Sequence, residues 1–171
     1  MSDVQKRDAS LDSLLAKGPI TRLHMDGDRI VLEVVHGGNL SSTTTLEVGS
    51  LLTVLRLLRH EPATPDELEA AITEIEDRLM PVIRLLPAHR CLVTSSPAVC
   101  NIAKHAAPNS SRQTHLDVAT IELLFNRLAD LAHGAPPARV GIPADRHFAA
   151  VLLGLRELLH HARFESAILI R

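Results

Sequence analysis

The chain has 171 residues, enough for one domain, and 46% of them are hydrophobic, which is ample for a packed core. Its 18 lysines and arginines nearly balance 20 aspartates and glutamates, so no global field pulls it onto nucleic acid or an anionic membrane. Aromatics are limited to Phe125, Phe148 and Phe164, which removes the stacking platform of single-strand binders, and no nucleic-acid partner is expected.

The N-terminus, MSDVQKRDASLDSLLAKG, is charged throughout and lacks the apolar core and cleavage site of a secretory signal. The longest apolar run, FAAVLLGL, stops at Arg156, far short of the ~18 residues of a membrane span. Cys91 and Cys100 have no CxxC spacing, so a reduced, cytoplasmic location and no membrane partner are the expectation. Residues 1–18 lack a sustained period and read as a mobile tail with at most a helical turn at LDSLL; residues 19–171 read as a single domain.

From Ile20 the pattern changes. ITRLHM, DRIVLEVVHG and LSSTTTLEV are β-rich runs separated by Asp26-Gly27 and Gly37-Gly38-Asn39, both of which tolerate the positive φ of tight turns. LLTVLRLLRH has helical spacing. Thr64-Pro65-Asp66-Glu67 then forms a capping box with proline at the first helical position, opening a helix with apolar positions Leu68, Ile72, Ile75, Leu79, Met80 and Ile83. An interior proline, Pro81, removes one backbone bond and predicts a kink before the end near Leu86. RCLVTSS reads as a buried strand and PAVCNIAKHA as a short helix. After a polar loop over 107–114, LDVATIELLFNRLADLA is helical up to a glycine stop at His133-Gly134. Asp145 to Ala162 is the last helix and SAILIR the closing strand.

The order is βββ, α, α, β, α, α, α, β. This is an α/β fold whose mixed sheet has three antiparallel strands followed by alternating helices and strands, as in the ribonuclease-H-like module that occurs twice in actin-like ATPases.

Four stretches, in order, resemble the C-terminal half of the exopolyphosphatase and guanosine-pentaphosphate phosphatase (Ppx/GppA) family. TTTLEVGSLLTVLRLLR is similar to that family's third strand and first helix, and PDELEAAITEIEDRL to the acidic amphipathic helix that follows. CLVTSSPAVCNIAKH is similar to its strand, phosphate loop and helix, and GIPADRHFAAVLLGLRELLHHARFESAILI to its closing segment. The resemblance implies a phosphoric anhydride hydrolase with two glycine-rich phosphate loops. This chain departs from both. At the first loop it reads HMDGDRIVLEV, where Gly27 alone survives, Asp26 and Asp28 flank it, and Val31 stands near the place of the catalytic glutamate. At the second it reads TSSPAV.

Each departure has its own chemistry. Asp26 and Asp28 would oppose a polyphosphate unless a divalent metal intervened; Asp-Gly is also simply a good hairpin turn. Ser96 followed by Pro97 suits a helix cap, because proline cannot supply the amide that an oxyanion or phosphate would need after the serine. Thr94 and Ser95 remain candidate anion contacts. No two of the ten histidines have the i, i+4 or HxH spacing of a zinc site, so solvated or half-buried histidines are expected, and both cysteines are expected in the core.

Two readings follow. In the first the chain is a non-catalytic, degenerate Ppx/GppA-like domain with no catalytic residue and no cofactor, serving as a binding, scaffold or regulatory protein. It would form a homodimer or take a protein partner through the helices of residues 66–86 and 145–162. In the second it is a metal-dependent phosphatase or phosphate-binding subunit acting on polyphosphate or a nucleotide, with Mg²⁺ on Asp26 and Asp28 and phosphate at Gly27, Thr94, Ser95 and Ser96.

Overall fold

Alternating apolar residues drive the first three runs into a sheet. In the computed structural model, which describes residues 13–26, 28–36, 43–88, 91–106 and 115–170, β1 (Ile20–Asp26) and β2 (Arg29–Val35) pair antiparallel, with Asp26 opposite Arg29. The expected turn at 37–39 and residues 1–12 of the expected tail lie outside the described residues. Residues 13–15 form a helical turn that buries Leu15 against Ile20, Val35 and Val93. β3 (Thr43–Ser50) adds to β2, β4 (Leu92–Thr94) runs parallel to β1, and β6 (Ser166–Leu169) runs parallel to β4. The six-stranded order is β3-β2-β1-β4-β6-β5.

The sixth strand is a correction. Leu116 and Asp117, expected to begin a helix, form β5 (His115–Asp117) with His115, antiparallel to β6. Leu116 is buried between two exposed neighbours, the period of a strand, and the Asp117 carboxylate accepts the Thr120 N–H at 2.7 Å, which fixes it as the cap that starts the helix one residue later.

The helices are α1 (Leu51–Leu57), α2 (Pro65–Ile83), α3 (Pro97–Ala106), α4 (Val118–Ala132), the single turn α5 (Pro137–Val140) and α6 (Arg146–Ala162). The capping box of α2 forms as expected: Thr64 Oγ1 accepts from the Glu67 N–H, and Glu67 returns to the Thr64 N–H at 3.2 Å. Burial alone would raise the pKa of Glu67, but the His60 ring at 2.7 Å and backbone amides, including those of Thr64 and His60, outweigh it and hold the carboxyl at about 2. The cap therefore stays charged at neutral pH. Pro81 lies in the last turn of α2, which ends at Ile83, and Met80, expected to face the core, is exposed.

All six helices pack on one face of the sheet, in one core with Leu23, Met25, Leu32, Val34, Leu92 and Ala167. At its centre is α6, with 12 of 17 residues buried. A surface role for residues 145–162 is thereby corrected: apolar residues on every side of this helix require cover on every side, and α1, α2, α3 and α4 supply it. Gly154 leaves room for the Met25 side chain, since a Cβ there would stand 2.6 Å from Met25 Cε. Gly154→Val crowds this contact and is expected to lower the unfolding free energy by about 1–3 kcal/mol in urea titration; wild-type stability would show that the Met25 side chain moves aside without cost.

Candidate functional site

In open α/β sheets, ligands bind outside the carboxyl ends of parallel strands. β1 and β4 are parallel, with Leu23 opposite Thr94, so their carboxyl ends open on the same edge. Three connections meet there. They are the β1–β2 turn at 26–28, the junction of β3 and α1 at Ser50, and the corner Thr94-Ser95-Ser96-Pro97 between β4 and α3. The Asp28 carbonyl accepts the Leu51 N–H at 2.7 Å, joining the turn to α1. The Ser96 hydroxyl donates to the Met25 carbonyl at 2.7 Å, joining the corner to β1.

The direction of these hydroxyls decides what the corner can do. Thr94 Oγ1 donates to the Leu23 carbonyl at 2.8 Å and accepts the Ser96 N–H at 3.1 Å. Thr94 and Ser96 are 1% and 2% exposed. A hydroxyl has one proton to give, and both protons point into the sheet. The Ser96 amide is engaged as well, and Pro97, the first residue of α3, has none. Ser95 is exposed, as is Asp28. Gly27 and the Asp26 side chain lie outside the described residues. The fold thus brings the expected turn and corner together at one edge, but turns two of the three corner hydroxyls inward.

Ser96 also stands where a cap belongs, its carbonyl accepting the Cys100 N–H at 2.9 Å. Removing either inward hydroxyl takes the donor from a β1 carbonyl. Thr94→Val and Ser96→Ala are each expected to lower stability by about 1–2 kcal/mol in chemical denaturation, and unchanged stability in both would mean that the ties do not form.

Neither cysteine is fully buried. Cys91 and Cys100 are half-buried free thiols, and burial pushes the Cys91 thiol up, with Lys17 opposing it in part. Such a thiol is not activated at neutral pH.

Two polar clusters lie away from this edge. A shallow depression of about 430 Å³ is lined by Arg56, Arg59, His60, Thr64, Asp66 and Glu67, and its buried Glu67 already holds His60 at 2.7 Å and Arg59 at 3.4 Å. The other surrounds the end of α6. Arg156 bridges Glu122 at 2.9 Å and Glu157, stacks over Phe125 at 4.1 Å, and is flanked by His160 on Glu122 and His161 on Glu76. Burial opposes the charge of Arg156, but Glu122 and Glu157 outweigh it and raise its pKa. A search for paired histidines misses this cluster; its sequence signal is a glutamate and a histidine four apart, Glu157 and His161.

No protein-family model and no curated protein matches the sequence. Solved structures share its fold. A Ppx/GppA phosphatase of Aquifex aeolicus, in its type II variant crystal structure, superposes with a TM-score of 0.68 at 12% identity, over 95% of this chain and 57% of that one. An exopolyphosphatase from Cytophaga hutchinsonii gives 0.62 at 13% identity, over 96% of this chain and 59% of that one. The chain has the Ppx/GppA fold. It spans a little over half the length of these Ppx/GppA structures, and at such identity the likeness carries the actin-like α/β architecture alone. Among the described residues no helix is long and apolar enough to cross a membrane.

Proposed function

We propose that this chain is a non-catalytic domain of Ppx/GppA fold that works by binding a protein partner, in a scaffold or regulatory role, with a second copy of itself as the simplest partner. The observation that carries the proposal is the corner of β4 and α3. Where an anion site needs outward donors, Thr94 and Ser96 spend their protons on the Leu23 and Met25 carbonyls, and Pro97 has no amide to offer. Ser95 alone of the corner hydroxyls is exposed, and one such contact is too little to hold a polyphosphate against the carboxylate of Asp28.

The binding role is supported by the second face of the sheet. Among the described residues only the turn at 13–15 packs on it. Strand register places His24, Val31 and Glu47 in one row of that face, and Arg22, Glu33 and Thr45 in the next. A face that carries both charge signs beside apolar residues offers groups of either sign to a second copy across a twofold axis.

With polyphosphate or guanosine pentaphosphate and Mg²⁺, no phosphate release and no shift in melting temperature are expected, and light scattering is expected to find a dimer that Glu33→Lys weakens. Mg²⁺-dependent phosphate release that is lost in Asp28→Asn would replace this reading with the phosphatase one, and a strict monomer at high concentration would remove the dimer.

A further inference from the structure

The C-terminal end of α6 carries a group of ligands that the proposed function does not use. His161 Nε2 lies 3.0 Å from Glu76 Oε1 on α2 and 3.3 Å from Glu157 Oε2 one turn earlier on α6. The three ligand atoms lie within 4.8 Å of one another. We propose that Glu76, Glu157 and His161 form a binding site for a divalent transition-metal ion of the zinc class, which clamps α2 to α6.

The spacing fits such an ion. The ligand atoms of a tetrahedral zinc, with bonds of about 2.0–2.1 Å, stand about 3.3 Å apart, close to the two distances from the imidazole nitrogen. One imidazole nitrogen with two carboxylate oxygens is a donor set that zinc accepts, and three protein ligands leave a fourth position for water.

Charge favours the same occupant. Around the end of α6 three carboxylates, Glu76, Glu122 and Glu157, face the single guanidinium of Arg156 and the imidazoles of His160 and His161. The three carboxylates outnumber that guanidinium, and Glu157, whose side chain is 3% exposed, lies among them. A divalent ion balances that excess. The buried ligand is also already oriented: Arg156 Nη1 donates to Glu157 Oε1 at 2.6 Å, leaving Oε2 turned to His161, which is how an outer partner fixes a ligating carboxylate. His161 and Glu76 are partly exposed, so an ion can enter without unfolding the core.

The test uses the full chain with Zn²⁺ in calorimetric titration and Co²⁺ as a visible probe of geometry. Wild-type protein is expected to bind one equivalent, to gain the strong visible absorption of tetrahedral cobalt, and to melt at a higher temperature with zinc, since an ion that binds only the folded state stabilises it. His161→Gln and Glu76→Gln are each expected to weaken binding by at least about tenfold, a loss that perturbing a zinc site commonly produces. Both side chains lie at the surface of the cluster, so circular dichroism is expected to find both variants folded, and His147→Gln, an exposed histidine at the opposite end of α6, should bind as wild type. Absence of one-equivalent binding in wild type would overturn the proposal, as would binding that survives both variants or an equal loss in His147→Gln. None of these outcomes bears on the proposed non-catalytic role.

Discussion

The fold is organised by a helix that cannot be left on a surface. α6 presents Phe148 through Leu155, then Leu158, Leu159 and Ala162, as an almost continuous apolar cylinder. Burying a side chain of this size contributes roughly 1.5–3 kcal/mol, but only where cover exists, so neighbours must gather on all sides. The sheet takes one side, close enough at Gly154 that Met25 touches the helix backbone, while α1, α2, α3 and α4 take the others. One consequence is spatial: with every helix drawn to this face, the second face of the sheet is left to the short turn at 13–15 among the described residues. Another is electrostatic. Arg156 and Glu157 are carried into the same crowded region and must find partners there, which gathers Glu122, Glu76, His160 and His161 around the end of the helix.

The edge of the sheet obeys a different constraint. β4 pairs with β1 only as far as Thr94, while β1 continues to Asp26. Past that point side chains take over from the backbone ladder, and the hydroxyls of Thr94 and Ser96 supply donors to the Leu23 and Met25 carbonyls. A threonine-serine corner can serve a bound anion or a strand end, but each proton serves only one of them. Pro97 completes the second choice, because it begins α3 without the amide an anion would use.

Much of this was legible in the sequence. The β1–β2 turn, the Thr64–Glu67 box and the glycine after His133 are local signals whose physics is complete within a few residues, and all three stand where expected. The short strand at His115–Asp117 was not legible, because three residues are too few for a period and its pairing with β6 is set by a segment about fifty residues away. The burial of α6 on all sides was legible in the uninterrupted run FAAVLLGL, which leaves no polar face there, whereas the identity of the helices that cover it was not. At the candidate edge the residue types and their meeting place followed from element order, whereas the direction of each hydroxyl depended on how far β1 outruns β4. The Glu76–Glu157–His161 cluster joins two helices, so sequence spacing could expose only its half on α6.

The central claim is that the corner hydroxyls are tied to the sheet and do not receive an anion. Its most direct test is a titration of the ¹⁵N-labelled chain with pyrophosphate, with and without Mg²⁺, followed by the amide resonances of Asp28, Ser95, Ser96 and Ala98. The account predicts no saturable shift at any of them up to millimolar ligand. Saturable shifts confined to these amides would contradict it, for they would mean that the edge binds phosphate after all.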